Sequence, residues 1–157
     1  MKLVVDNNVL FSIMNPKSVS SYLFSSIRVE FLAPEFVKSE FNKHKEDCLF
    51  KSKLSEHEFE LRQDEVKENI KFFKSSEYKD FLEKSLNAST DLDDADFLAL
   101  ALSLSNRRFV RDTNNPSDFS VSIKAAIWSN DPHLKLQPLV RVFTTKELVE
   151  RLLSGEI

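Results

Sequence analysis

The chain has 157 residues, of which 41% are apolar and 30% charged, a size and balance typical of one globular domain, and they indicate neither disorder nor a membrane span. The single cysteine excludes an intramolecular disulfide and a thiolate metal cluster, and the single glycine excludes glycine-rich loops that bind phosphate. The net charge of -3 argues against a broad phosphate-binding surface, although a carboxylate cluster that binds divalent ions can carry this negative excess.

The first predicted strand is Leu3–Val5, a short apolar run that ends at Asp6. Asp6 interrupts the unbroken apolar core that a secretory signal requires, so we expect a cytoplasmic protein. Helical segments are predicted at 9–14 and 18–27, followed by a second strand at 29–32. Strand, helix and strand in this order predict a right-handed parallel crossover.

The central part of the chain is predicted to be mostly helical. A helix is expected over 35–45, with Pro34 near its start and Glu40 beside its apolar stripe. Ser55 and Glu58 form a capping box for a charged helix whose apolar spacing extends to about residue 70 and whose charged face we expect to be solvated.

The segment that follows is predicted less regularly. Phe72 and Phe73 are expected to begin a short connection, and a further helix is expected over 77–86. An Ala- and Leu-rich run over 94–104 is apolar on nearly all sides, which predicts a buried helix with Thr90 or Asp91 as its N-cap.

The last third begins with a polar segment, 107–122, that predicts a loop with a short strand at 109–111. Two strands are then predicted at 125–128 and 141–143, before a closing helix that starts after Thr144. Alternating strands and helices predict an α/β fold: a three-layer α/β/α sandwich around a mostly parallel sheet, formed by residues 1–157 as a single domain. In such sheets, ligands bind beyond the carboxyl ends of the strands.

Acidic residues collect at that predicted edge. Asp6 and Asp131 each follow a predicted parallel strand, so we expect them to lie together. Four more carboxylates crowd the start of the buried helix, where capping needs only one or two of them and where a divalent cation would offset their repulsion. Oxygen ligands without sulfur favour Mg²⁺ or Mn²⁺. The four residues are Asp91, Asp93, Asp94 and Asp96.

Each acid taken alone has a structural explanation. Asp6 and Asp131 suit turns, Asp94 suits a helix cap, and Glu40 suits an exposed helix surface. The four carry functional weight only together, in this order and in these contexts.

Those contexts resemble the PIN-domain family, in particular its small stand-alone prokaryotic members. Its four acidic motifs are matched by 4–12 (VVDNNVLFS), 34–41 (PEFVKSEF), 91–101 (DLDDADFLALA) and 127–131 (IWSND). The closing strand and helix are matched by 142–148 (VFTTKEL). The sequence departs from the family's pattern at Asn7, where a hydroxyl or small residue is common, and in the long segment 107–124 before the fourth motif.

The resemblance implies a ribonuclease that uses Mg²⁺ or Mn²⁺ to hydrolyse RNA, with Asp6 and Asp94 as principal metal ligands and Glu40 and Asp131 completing the site. Additional candidates are Asp91, Asp93, Asn8 and Ser129. Candidates to position phosphates, each also consistent with a solvated surface residue, are Lys43, Lys45, Arg107, Arg108 and Arg111.

Other functions remain open at this level. A PIN fold can bind RNA or a protein without cutting, and many small PIN proteins are toxins paired with an antitoxin. A receiver-like phosphoacceptor module is disfavoured because Asn7 and Asn8 stand where further acids would be expected. The 14 phenylalanines suit an aromatic core and a possible homodimer face, and the spacing of His44, His57 and His133 matches no compact metal motif.

Overall fold

In the part of the chain that the structure describes, five strands form one sheet in which every neighbouring pair is parallel, and their spatial order is β3-β2-β1-β4-β5. They are seen in a computed structural model that describes residues 1–105 and 124–157. The strands are β1 (Lys2–Val5), β2 (Glu30–Pro34), β3 (Ile70–Phe73), β4 (Ala125–Trp128) and β5 (Val142–Phe143).

Helices enclose this sheet and complete a three-layer α/β/α sandwich, as the sequence predicts. The buried helix α7 packs across β1, β2 and β4, while α6 packs on α7 and α1 packs on α2. The helices of the described residues are α1 (Asn7–Ile13), α2 (Val19–Ser26), α3 (Val37–Lys43), α4 (Lys45–Ser52), α5 (Glu56–Glu68), α6 (Leu82–Ala88), α7 (Ala95–Ser105) and α8 (Thr145–Leu153).

The central strand β1 is buried on both faces, since Leu3, Val4 and Val5 have no exposed surface. A continuous run of apolar residues with β-branched members is the pattern of a strand covered by helices on both sides. Val5 pairs with Trp128 of β4, and the backbone N–H of Asp6 donates to the Trp128 carbonyl at 3.1 Å. The pairing of β1 with β4 therefore places Asp6 at the carboxyl edge of the sheet in a defined register.

Two predicted capping boxes are confirmed. Ser55 and Glu58 exchange both hydrogen bonds at the start of α5, and Thr144 and Glu147 do the same at the start of α8. Each box satisfies backbone N–H groups that the first helical turn leaves without partners.

The prediction for residues 70–73 is wrong. Ile70 does not extend the preceding helix and Phe72 and Phe73 are not a connection, because all three belong to the edge strand β3. Ile70 and Phe73 are buried whereas Lys71 is exposed, and pairing with β2 supplies the backbone hydrogen bonds. Four residues are too few for their sequence alone to distinguish a strand from a helix end.

Two other helix predictions need correction. The helix predicted over 35–45 starts at Val37 and is followed directly by α4, which the sequence analysis did not identify. The segment predicted as a helix over 77–86 begins with 3-10 turns at 75–77 and 79–81 and becomes α-helical only at Leu82.

The charged face of α5 is not simply solvated, because Arg62 is buried. Its guanidinium donates to the carbonyl oxygen of Ile13 from Nε at 3.2 Å and Nη2 at 2.9 Å, and to the hydroxyl of Ser21 at 2.6 Å. Glu65 accepts from Nη1 at 2.7 Å. Ile13 ends α1, where carbonyl groups lack helical partners, so Arg62 supplies donors to that helix end.

The loop predicted at 107–122 and its short strand at 109–111 lie outside the described residues. Within 1–105 and 124–157, no helix has the length and apolar character needed to cross a membrane.

Candidate active site

Asp6 lies between the end of β1 and the start of α1 and acts as the N-cap of that helix. Its Oδ1 accepts the backbone N–H of Val9 at 2.8 Å, and its Oδ2 accepts the hydroxyl of Ser129. Burial raises the pKa of the Asp6 carboxyl, the two hydrogen bonds oppose that effect, and the charge of Asp131 raises the pKa further. The two hydrogen bonds thus fix the position of the carboxyl, and burial raises its pKa.

Ser129 connects two of the predicted acids. It follows β4 and is completely buried, and its hydroxyl donates to Asp6 while accepting the backbone N–H of Asp131 at 3.0 Å. The Oδ1 of Asp131 accepts the backbone N–H of His133 at 2.8 Å, in a short turn. The structure therefore brings Asp6 and Asp131 together at the carboxyl edge of adjacent parallel strands.

Asp94 ends the 3-10 turn that leads into α7, and its carboxyl is partly buried beside other acids. Its Oδ2 is buried and has no hydrogen-bond partner among the described residues. Burial raises its pKa to about 6, with further contributions from the charges of Asp131, Asp91 and Asp6 and a smaller one from Asp93. The charges of both acids at the sheet edge, Asp6 and Asp131, therefore raise the pKa of Asp94.

The other acids near α7 have ordinary structural roles. Asp91 accepts the backbone N–H of Asp93 at 3.0 Å and so caps the 3-10 turn before α7, whereas the sequence predicted Thr90 or Asp91 as the N-cap of the buried helix itself. Both aspartates are exposed. Asp96 accepts the hydroxyl of Tyr78 at 2.8 Å, and this contact and burial raise the pKa of the tyrosine. No local sequence pattern predicts this hydrogen bond, since it joins residues 18 positions apart.

Glu40 is placed differently from the three aspartates. It lies on α3 with 18% of its side chain exposed, and its two carboxylate oxygens lie 2.6 Å from the Lys43 ammonium and 3.6 Å from His44 Nε2. Among the described residues, the ion pairs of Glu40 are with Lys43 and His44, and no hydrogen bond joins it to Asp6.

The remaining polar candidates lie around the same turn. The backbone N–H of Asn8 lies near Asp6 and lowers the pKa of that carboxyl, while the Asn8 side chain is exposed. The Oδ1 of Asn7 is buried and has no partner within 1–105 and 124–157.

Lys43 pairs with Glu40, and the predicted phosphate contacts Arg107, Arg108 and Arg111 lie outside the described residues.

A divalent cation fits this donor set chemically. The Oδ2 of Asp94 is buried without a partner, and the charges of Asp6 and Asp131 are among those that raise the pKa of its carboxyl. A hard cation bound here would offset the repulsion between these acids. In the described part of the chain, however, no three histidine, cysteine, aspartate or glutamate side chains converge as a ready-made metal site. Small side-chain rotations or bridging waters would have to complete the coordination.

Comparison with protein families identifies the kind of domain. The family model described as PIN domain matches residues 4–108, two thirds of the chain. The chain belongs to the PIN-domain family. PIN domains are generally nucleases, and they typically use divalent metal ions. No curated protein matches the sequence.

The matched range of the PIN domain includes Asp6, Glu40 and Asp94. Ser129 and Asp131 lie beyond it, and their place beside Asp6 rests on the pairing of β1 with β4.

Proposed function

We propose that this PIN domain, taken as one domain over residues 1–157, is a metal-dependent ribonuclease that hydrolyses RNA phosphodiester bonds. The observation that supports the proposal most is the buried, unpartnered oxygen of Asp94 beside Asp6 and Asp131. These residues lie beyond the carboxyl ends of parallel strands, where α/β folds bind their ligands.

In this proposal the acids have distinct tasks. Asp6 and Asp94 are the principal ligands of Mg²⁺ or Mn²⁺, and Asp131 and Glu40 complete the site directly or through water. The hydrogen bonds from Val9 and Ser129 keep Asp6 oriented. When bound, a divalent ion supplies Lewis acidity toward the scissile phosphate and its attacking water.

Glu40 differs from the aspartates because its carboxylate has to break the ion pair with Lys43 before it can contribute to the metal site. Its contact with Lys43 is on the surface, where an ion pair contributes only about 0–1 kcal/mol, so the side chain is free to exchange partners. Lys43, once released, becomes available to a substrate phosphate.

The test is cleavage of single-stranded and structured RNAs with Mg²⁺, Mn²⁺ or chelator. Native protein is expected to cut only with metal, and Asp6→Asn and Asp94→Asn should each reduce the rate at least about a hundredfold, since they remove proposed ligands rather than their supports. Asp64→Asn, which changes an exposed acid on α5, is the matched control and should retain the native rate.

Folding of every variant is verified by circular dichroism. A native protein that neither cuts RNA nor binds metal would instead favour the catalytically inactive RNA- or protein-binding module.

A further inference from the structure

A cavity of about 500 Å³ lies between α1 and α4, in the size range of small-molecule pockets. Its walls include Asn8, Phe11 and Ser12 from α1, and His44 and Asp47 at the start of α4. None of these side chains, Asn8 aside, entered the sequence-based site. The cavity therefore requires its own explanation.

One wall is aromatic. The rings of Phe11 and His44 have centroids 4.8 Å apart and planes inclined by 49°. Phe11 is half-buried and also packs edge-on against Phe41, whereas 45% of the His44 side chain is exposed. Aromatic and histidine rings of this kind are the surfaces on which unpaired nucleobases stack.

Of the polar residues that line the cavity, Asn15 and Ser18 hydrogen-bond to nearby backbone groups, and His44 lies 3.6 Å from a Glu40 oxygen, but several other side chains have no partner. Within the part of the chain that the structure describes, the side chains of Asn8, Ser12, Asp47 and Lys51 have no hydrogen-bond or ion-pair partner. Amide, hydroxyl and carboxylate groups can read the edges of a base, while the Lys51 ammonium can bind a phosphate. An apolar wall with a few unpaired polar groups is the usual composition of a ligand site.

The cavity also adjoins the acids. Asn8 lines the cavity and lies two residues after Asp6, the N-cap of α1, so both features share the first turn of that helix. A strand whose scissile phosphate lies at Asp6 would place a neighbouring nucleotide near this opening.

We propose that the cavity is a binding site for the base of one unpaired nucleotide, adjacent to the turn that holds Asp6. The inference rests on the proposed function for the identity of the chain that enters. Duplex RNA does not suit the cavity because its bases are stacked and paired.

Binding is tested without catalysis, in metal-free buffer, with the Asp94→Asn protein and nucleoside 5′-monophosphates. Backbone ¹H–¹⁵N shift changes are expected to concentrate at Ser12, His44 and Lys51, and ribose 5-phosphate, which lacks a base, should not reproduce them. Shift changes of equal size and position with ribose 5-phosphate would overturn the proposal, as would changes spread over the whole surface.

Variants locate the stacking surface. His44→Ala is expected to weaken nucleotide affinity about fivefold or more, because base stacking on one ring contributes at least that factor. His57→Ala removes an exposed histidine from α5, outside the cavity, and should leave the affinity unchanged. Phe11→Leu, which keeps an apolar side chain against Phe41, should also weaken binding. Native affinity in both the His44 and Phe11 variants would overturn the assignment.

The two proposals fail separately. Nucleotide shifts at the cavity without metal-dependent cleavage would sustain the base site and refute the hydrolytic function. Cleavage without nucleotide shifts, or equal cleavage of duplex and single-stranded RNA, would sustain the hydrolytic function and refute the base site.

Discussion

The buried carboxyl of Asp94 lowers the stability of the folded protein, and a role in the candidate metal site would explain its presence. Its Oδ2 has no partner among the described residues, and neighbouring carboxylates and burial together raise its pKa to about 6. An unpaired buried carboxylate normally lowers stability. A cation bound at this position would reverse the sign of that effect.

The pKa of Asp94 predicts a pH-dependent effect of Asp94→Asn. The folded state binds this proton more tightly than the unfolded chain, so the stabilisation from the protonated group is fully present below about pH 4 and is lost as the pH rises through about 6. Without metal, the variant should therefore become increasingly stable relative to the native protein between pH 4 and pH 7. Urea unfolding at several pH values measures this difference.

Added Mn²⁺ should raise the melting temperature of the native protein and leave that of Asp94→Asn nearly unchanged. Parallel stability curves for the two proteins at all pH values would contradict the buried placement of this carboxyl.

Ser129 is predicted to set the acidic limit of activity. Its hydroxyl lowers the pKa of Asp6, so Ser129→Ala should raise that pKa and move the acidic limb of the pH–rate profile to higher pH. Ser129→Thr keeps the hydroxyl and should restore the native limb. An unchanged limb in the alanine variant, with a uniform loss of rate, would indicate a purely structural role.

At the scale of elements, α1 is held at both ends by side chains from outside it. Asp6 caps its first turn, and the buried Arg62 of α5 donates twice to the carbonyl of Ile13 at its last turn. Because α1 has only seven residues, it has little helical stability of its own. The position of the candidate site thus depends on α5 as well as on the sheet.

Arg62→Ala is predicted to lower the free energy of unfolding by about 3 kcal/mol, because the charged hydrogen bonds to Ile13 and Ser21 are lost and a buried carbonyl is left without its donor. Asp64→Ala changes an exposed residue of the same helix and should alter stability by less than about 0.5 kcal/mol. Chemical denaturation measures both. Equal effects would mean that Arg62 contributes no more than a surface residue.

At the scale of the whole molecule, sheet order assembles the candidate site from distant sequence. β1 lies between β2 and β4, so the end of β1 meets Ser129 and Asp131, which come more than 120 residues later in the chain. α7 then packs across these strands and brings Asp94 to the same edge.

The proposal that residues 1–157 form a single domain predicts one cooperative unfolding transition. Trp128, the only tryptophan, is fully buried in β4, and its fluorescence reports on the sheet, whereas far-UV circular dichroism reports on the helices. Both signals should have the same denaturation midpoint, and both midpoints should fall together in Arg62→Ala. Separate midpoints would reveal a second folding unit.

Much of this protein was determined by the sequence alone. Apolar runs, capping boxes and the acid-rich start of α7 predicted the α/β sandwich, four of its strands and the neighbouring positions of Asp6 and Asp131. The strands and caps are local features, since each depends on a few consecutive residues. The position of Asp6 beside Asp131 also depends on the parallel direction of the strands.

The tertiary structure decided the rest, because it depends on contacts between distant residues. β3 becomes a strand only when β2 pairs with it, and Arg62 is buried only because α1 and α2 present acceptors to it. Glu40 has the motif position of a site residue, yet its side chain pairs with Lys43. Such partners are set by packing in three dimensions, which local sequence patterns do not encode.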